Sequence, residues 1–236
     1  MKEDFNTQQE EGTFYEGRAK RAVENLKRRG ANAYYAASKE EALSMVMDMI
    51  PEGATIGTAD SVTLLQVGVI SALRKRGGNE IINPFVRDDD GHFVVDEEER
   101  DELKRKVFFS DVYVIGTNAV TLDGKLVNID GNGNRVAAMI YGPKKVIIVV
   151  GANKIVKDVE DAIRRVREIC APQNAIRHAT KHHRTEYLDL PCAQTGVCSD
   201  CNHPWRLCRY TTIIEGVAER KRGHLNVVVV GERLGI

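Results

Sequence analysis

The hydrophobic positions of the chain repeat one grammar. A short apolar run of strand length leads into a glycine-containing turn. A stretch follows whose apolar residues recur every three or four positions, and then the next apolar run. Continuous or alternating apolarity marks strands, and the 3.6 period marks helices. On this pattern 31–37 is a strand and 39–50 a helix, with Ser38 as N-cap and Glu41 three residues on, a capping box. Residues 54–57 form a strand feeding a helix at 61–76, which Gly77-Gly78 ends before a strand at 80–83. A highly charged helix is expected at 96–106, buried strands at 111–116 and 146–150, an amphipathic helix at 158–169 and a last strand at 226–230. Such alternation predicts an α/β fold, a mostly parallel sheet flanked by helices.

Two segments stand outside the grammar. Residues 1–30 are polar and charged, with Ala19, Ala22, Val23 and Leu26 as a narrow apolar stripe; they read as a helical arm stopped at Gly30. The remainder, 31–236, reads as a single domain. Within it, 189–209 is rich in Cys, Pro, Gly and Asp without periodicity. A loop of that length needs a functional or structural reason.

Composition narrows the function classes. The 236 residues can bury one sizeable core. Lys plus Arg balances Asp plus Glu at 34 each, so there is no general pull toward nucleic acid or anionic membrane. No apolar run approaches the roughly 20 residues of a membrane helix. The N-terminal stretch lacks the apolar core of a signal peptide. The expectation is a cytoplasmic protein, and in a reducing compartment clustered cysteines favour metal binding or redox chemistry over disulfides.

Candidate chemistry gathers at the turns that follow strands, where open α/β sheets bind ligands. In the first such turn Gly57 permits close backbone approach, and Thr58, Asp60, Ser61 and Thr63 offer polar atoms. The simpler reading makes Asp60 or Ser61 an N-cap. After the strand at 111–116 come Asn118 and a hairpin signal at Asp123-Gly124. A Gly/Asn-rich loop follows, Asp130-Gly131-Asn132-Gly133-Asn134-Arg135, whose N–H groups can face an anion while Arg135 adds charge. The run His178, Lys181, His182, His183, Arg184 is either a solvated helix end or a positive rim for an anionic ligand. The expected ligand is a small anionic metabolite or nucleotide-like molecule lying across 57–61, Asn118 and 130–135. Asp60, Asp123, Asp130 and Glu232 all stand at strand ends, and no spacing singles one out as acid or base.

Four of the five cysteines are spaced C-x5-C-x2-C-x6-C: Cys192, Cys198, Cys201 and Cys208. A C-x2-C pair puts two sulfurs on one tight turn, and the flanking pair can complete a four-thiolate shell. The spacing matches no standard zinc finger or ferredoxin, so zinc and an iron–sulfur cluster both stand, beside a redox dithiol or inert cysteines. Cys170 stands apart and reads as a buried apolar side chain.

The segments Asn118-Ala119-Val120-Thr121-Leu122-Asp123-Gly124, Gly133-Asn134-Arg135-Val136-Ala137 and Val150-Gly151-Ala152-Asn153-Lys154-Ile155-Val156, with the helix start Ser61-Val62-Thr63-Leu64, resemble the LUD (lactate-utilisation) domain family. The resemblance runs from about residue 17 to the C-terminus. It implies a fold similar to ribose-5-phosphate isomerases, glucosamine-phosphate deaminases and CoA transferases, with the ligand over strand ends. It also implies a link to lactate or related carbon metabolism. Some relatives work with iron–sulfur partners in electron transfer, and some carry a Thr-Gly-x-Cys-x-Asp-Cys segment, matched here by Thr195, Gly196, Cys198, Asp200 and Cys201. The implied protein binds a ligand and serves electron transfer through a cluster, beside a redox protein partner. A non-redox isomerase- or transferase-like enzyme with structural zinc and a regulatory binding protein are the alternatives. A homodimer stays open.

Overall fold

The computed structural model of the chain describes residues 7–236. The expected arm is helix α1 (Gln8–Arg28); its positions 1–6 lie outside the described residues. The stripe Ala19, Ala22, Val23 and Leu26 is buried, so α1 packs as a layer of the fold rather than standing in solvent. The chain continues through β1 (Asn32–Ala36), α2 (Lys39–Met49), β2 (Ile56–Thr58), α3 (Val62–Val67), α4 (Val69–Arg76), β3 (Ile81–Ile82) and α5 (Glu97–Lys106). The second half runs through β4 (Val112–Gly116), β5 (Ala119–Thr121), β6 (Leu126–Asp130), α6 (Asn134–Ile140), β7 (Lys145–Gly151), β8 (Ile155–Val156) and α7 (Val159–Arg165). A π-helical turn (Val166–Cys170) leads into α8 (Ala171–His182), followed by α9 (Pro191–Thr195), β9 (Tyr210–Ile214) and β10 (Leu225–Val230).

Local chemistry explains most boundaries. The Ser38 hydroxyl accepts from the Glu41 N–H at 3.3 Å, and the Glu41 carboxylate accepts from the Ala37 N–H at 2.7 Å, starting α2. The expected single helix over 61–76 is two, because Gly68 adopts φ +82° and breaks it. The helix expected over 158–169 is likewise interrupted, its register slipping by one residue at the π-helical turn. The cysteine segment is not wholly irregular: α9 occupies its start and ends at Gly196 in the left-handed region.

Six strands form a parallel sheet in the order β1-β10-β7-β4-β2-β3. Alternate residues serve opposite faces, as period two requires. On β10, Val227 and Val229 join the core under α1, whereas Val228 and Val230 join the core under α2, α3 and α4. A second, four-stranded sheet, β8-β5-β6-β9, holds the antiparallel β5–β6 hairpin, with Ala119 opposite Val127. The turns after β2, β4 and β6 open into one crevice, which α8 and the cysteine segment wall off. Among the described residues no helix is long and apolar enough to cross a membrane.

Candidate functional site

The crevice holds a cavity of about 250 Å³. Asp60, Ser61 and Thr63 line it from the turn after β2, Thr117 and Asn118 from the turn after β4, and Asp130, Gly131, Asn134 and Arg135 from the loop before α6. Lys154 reaches it from behind β7, Asn174, Arg177 and His178 come from α8, and Leu207 and Cys208 from the cysteine segment.

Asn128 organises one wall. It is fully buried, and a buried amide must find partners. Its Oδ1 accepts from the Thr117 hydroxyl (3.1 Å), the Asn118 N–H (3.2 Å) and Arg135 (2.7 Å). Asn118 Oδ1 accepts from the Ile129 N–H at 3.0 Å and from Arg135 at 2.9 Å. Arg135 also donates to the Ile129 carbonyl at 3.0 Å and lies 3.8 Å from the Asp130 carboxylate. Arg135 thus ties the turn after β4 to the loop before α6, and most of its guanidinium is engaged by the protein itself. Asp130 accepts from the Val136 N–H at 3.2 Å, holding the start of α6.

Asp60 faces the opposite wall. Burial alone would raise its carboxyl, but two hydrogen bonds from Arg177, at 2.9 and 2.7 Å, and the charge behind them bring it below the ordinary carboxylate range. His182 sits 3.7 Å from the same carboxylate. Burial pushes His178 and His182 down to about 4, against the opposing pull of Asp60, so both rings are neutral at pH 7. Tyr187 stacks on His178 at 4.9 Å and closes that side.

The floor differs from the walls. Lys154 is 6% exposed, and its ammonium donates to the Thr63 hydroxyl at 3.0 Å and the Thr117 carbonyl at 3.4 Å. Arg165, 8% exposed, lies behind the lining, where it donates to the next carbonyl along, Asn118, at 3.1 Å and to the Cys170 sulfur at 2.6 Å. Neither cation forms an ion pair with a carboxylate among the described residues, whereas Arg177 and Arg135 face Asp60 and Asp130. Burial first, and then the charge of Arg165, pushes the Lys154 amine down to about 8.

The cysteine segment supplies the remaining side. All four cysteines are half-buried and free. Asp200 takes the left-handed conformation (φ +49°), and its N–H donates to the Cys198 sulfur at 3.5 Å, shaping the C-x2-C turn. Arg206 donates to the carbonyls of Cys201 (2.5 Å) and Cys208 (3.0 Å) and to Asp200 (2.8 Å). Burial, and then the neighbouring Cys201, Cys208 and Cys198, raise the Cys192 thiol. The donor chemistry fits a thiolate-bound ion. In this conformation, however, no three His, Cys, Asp or Glu side chains among the described residues are arranged to hold one.

Of the residues nominated from sequence, Asp60, Ser61, Thr63, Asn118, Asp130, Gly131, Asn134 and Arg135 share the cavity. Four lie elsewhere. Gly57 is buried in β2, where a Cβ would come within 2.8 Å of Val107 and Ser110; its smallness serves packing. The Thr58 hydroxyl donates to the Val114 carbonyl at 3.1 Å, inside the sheet. Asp123 sits at the hairpin turn, bonded to Thr121 and to Arg29 at 2.7 Å, at the end of α1. Glu232 accepts from the Lys39 N–H at 3.1 Å and does not line the cavity. Of the basic run, only His178 reaches the lining. Sequence reasoning did not nominate Asn128, Lys154, Arg165 or Arg177. For Lys154 a signal existed: it is the one charge inside an apolar stretch, 150–156.

A family model described as the LUD domain matches residues 19–230. Among solved structures, a DUF162 family protein from Deinococcus radiodurans is 13% identical with a TM-score of 0.48, covering 93% of this chain and 98% of that one. Ribose 5-phosphate isomerase from Plasmodium falciparum is 17% identical with a TM-score of 0.33, over 57% of this chain and 66% of that one. The eIF2B delta of Chaetomium thermophilum is 17% identical with a TM-score of 0.35, over 54% of this chain and 51% of that one. Among curated proteins none matches.

Proposed function

From the premise that the chain belongs to the LUD-domain family, we propose that it binds a small anionic metabolite, a carboxylate of lactate-linked carbon metabolism, in the cavity between Asp60 and Arg135. One observation carries this reading: Lys154 is buried at the cavity floor with no carboxylate at ion-pair distance among the described residues. An uncompensated buried charge is costly and is kept when something else supplies the counter-charge. The ligand supplies it here. Asn118 and Asn174 offer polar atoms beside the anion, and Ile129, Val166 and Leu207 offer apolar surface for the rest of a small molecule.

The cysteine segment supports a second element. Cys192, Cys198, Cys201 and Cys208 would hold a metal centre, either an iron–sulfur cluster or zinc. What supports it is the turn at Asp200, already folded around the Cys198 sulfur, and the clustering of four thiols. An iron–sulfur centre supplies one-electron transfer when bound, to a redox protein partner; zinc supplies a structural tie. Cys208 belongs to the cavity lining, so the centre and the anion would be neighbours.

Thermal-shift measurements with lactate, pyruvate, oxalate and phosphate test the anion. At 100-fold excess over Kd, binding adds about 2.7 kcal/mol of stability. A melting temperature unmoved by every one of these anions at millimolar concentration removes the reading. Metal analysis and visible spectra of anaerobically prepared protein separate cluster from zinc, and protein carrying neither metal would retire the metal centre.

A further inference from the structure

The protein itself covers the cavity floor: we propose that Gly235 and Ile236 form a strap over Lys154, and that an anionic ligand reaches the lysine by displacing it. The inference rests on the anion-binding reading above and adds how that site opens.

The segment after β10 has a firmly held part and a lightly held part. The Glu232 carbonyl accepts from the Ala152 N–H at 2.9 Å, and the Leu234 N–H donates to Asn153 Oδ1 at 3.0 Å. The Leu234 side chain is buried in the core under α2, α3 and α4. Gly151 admits this close approach, since a Cβ there would lie 2.5 Å from the Leu234 nitrogen. Gly235 and Ile236 have less to hold them. The Gly235 N–H donates to Gln66 Oε1 at 2.6 Å, and that side chain is exposed. Ile236 is half-buried, packs against the small cluster of Ile129, Val166 and Cys170, and lines the cavity.

These two residues lie across the Lys154 amine. Gly235 has φ +68°, and a Cβ on it would stand 2.7 Å from Lys154 Nζ and 2.4 Å from the Thr63 hydroxyl. Only glycine lets the backbone pass so close in that conformation. Yet the strap gives the ammonium no acceptor. Lys154 donates to Thr63 and Thr117, and among the described residues no hydrogen bond joins it to Gly235 or Ile236. A cover that buries a cation without answering it leaves the charge under-compensated. An anion supplies what the strap does not. Because it occupies the place the strap takes, it binds the open state better and shifts the population toward that state. Leu234 is the fixed point of the motion, and Gly235 is the swivel.

Hydrogen exchange on the intact protein tests this with oxalate as the probe. Binding ordinarily slows exchange near a site; here oxalate should speed it at the Gly235 N–H by freeing that group from Gln66. Gln66→Ala removes the one backbone hydrogen bond of the strap and should tighten oxalate binding about fivefold, the worth of one such bond. A variant lacking Gly235 and Ile236 should bind oxalate at least about tenfold tighter, since no cover has to be displaced first. Should that shortened protein fail to fold, the exchange measurement and Gln66→Ala still decide. Oxalate bound with exchange at Gly235 slowed or unchanged, or with the same affinity in Gln66→Ala, overturns the strap and leaves the anion site standing. Oxalate bound by none of these proteins overturns both.

Discussion

Replacing Lys154 by Met should make the ligand-free protein at least as stable at pH 7, an unusual result for a buried lysine. The environment lowers the amine from the ordinary 10.5 to about 8. At about 1.4 kcal/mol per tenfold change in proton affinity, the folded state bears a charge burden of about 3 kcal/mol at neutral pH. Methionine removes that burden and fills similar volume. It forfeits the bonds to Thr63 and Thr117, worth about 1 kcal/mol each. The net expectation is a gain of about 1 kcal/mol. The sign with pH follows from proton binding. Between pH 8 and 10.5 the unfolded chain holds the lysine proton and the folded protein releases it, so wild-type stability rises with pH in that window. The variant lacks this rise, and the difference between the two proteins isolates Lys154 from every other titrating group. Urea unfolding of both at pH 7 and pH 10 measures it. A variant less stable than wild type by over about 1 kcal/mol at pH 7, with the same change between the two pH values, would show that the lysine is satisfied and that the floor needs no anion.

Arg177→Ala should cost about 3 kcal/mol, because it strands the buried Asp60 carboxylate, and a further Asp60→Asn change should recover part of the loss in urea unfolding. His178 and His182, held near 4 in the folded protein, lend stability above pH 6.5 that is lost as pH falls toward 4; the melting temperature should fall across that window, less steeply for His182→Phe. Gly124→Ala should lower stability by at least about 2 kcal/mol, since φ is +86° and a Cβ would meet the Asn25 backbone at 2.5 Å; anion binding by the folded fraction should persist. Replacing Cys198 and Cys201 by Ser should abolish metal retention, measured as bound metal per chain, while far-ultraviolet circular dichroism stays unchanged.

The fold was legible where one rule acted alone. The valine run of β10 and the apolar residues of β4 and β7 announce a sheet buried on both faces, and each became a central parallel strand. The stripe on α1 was legible as a helix. That it packs as a full layer was not, because a narrow stripe of Ala and Val fits both a solvated arm and a close helix–sheet contact. The break at Gly68 was hidden because a lone glycine inside a helical pattern is often tolerated. The slipped turn at Val166–Cys170 leaves no mark in periodicity at all.

The site divides along the same line. Residues that reach the cavity by standing at a strand's end, such as Ser61, Asn118 and Asp130, are readable from order along the chain. Gly57 shows the limit of that logic: a glycine after a strand signals close approach, and the approaching group here is Val107 with Ser110. Asp123 shows another limit, since its hairpin turn meets α1 instead of the crevice. Arg177 arrives from a helix far along the chain, and the π-helical turn between α7 and α8 alters the facing of everything after it. Its arrival in the cavity that Lys154 lines is therefore tertiary. The property that argues for a ligand is likewise relational: three cations line the cavity, Arg135, Lys154 and Arg177, and only Lys154, which has no carboxylate at ion-pair distance among the described residues, asks for an anion. Composition counts charges, but only the fold decides which of them have been answered.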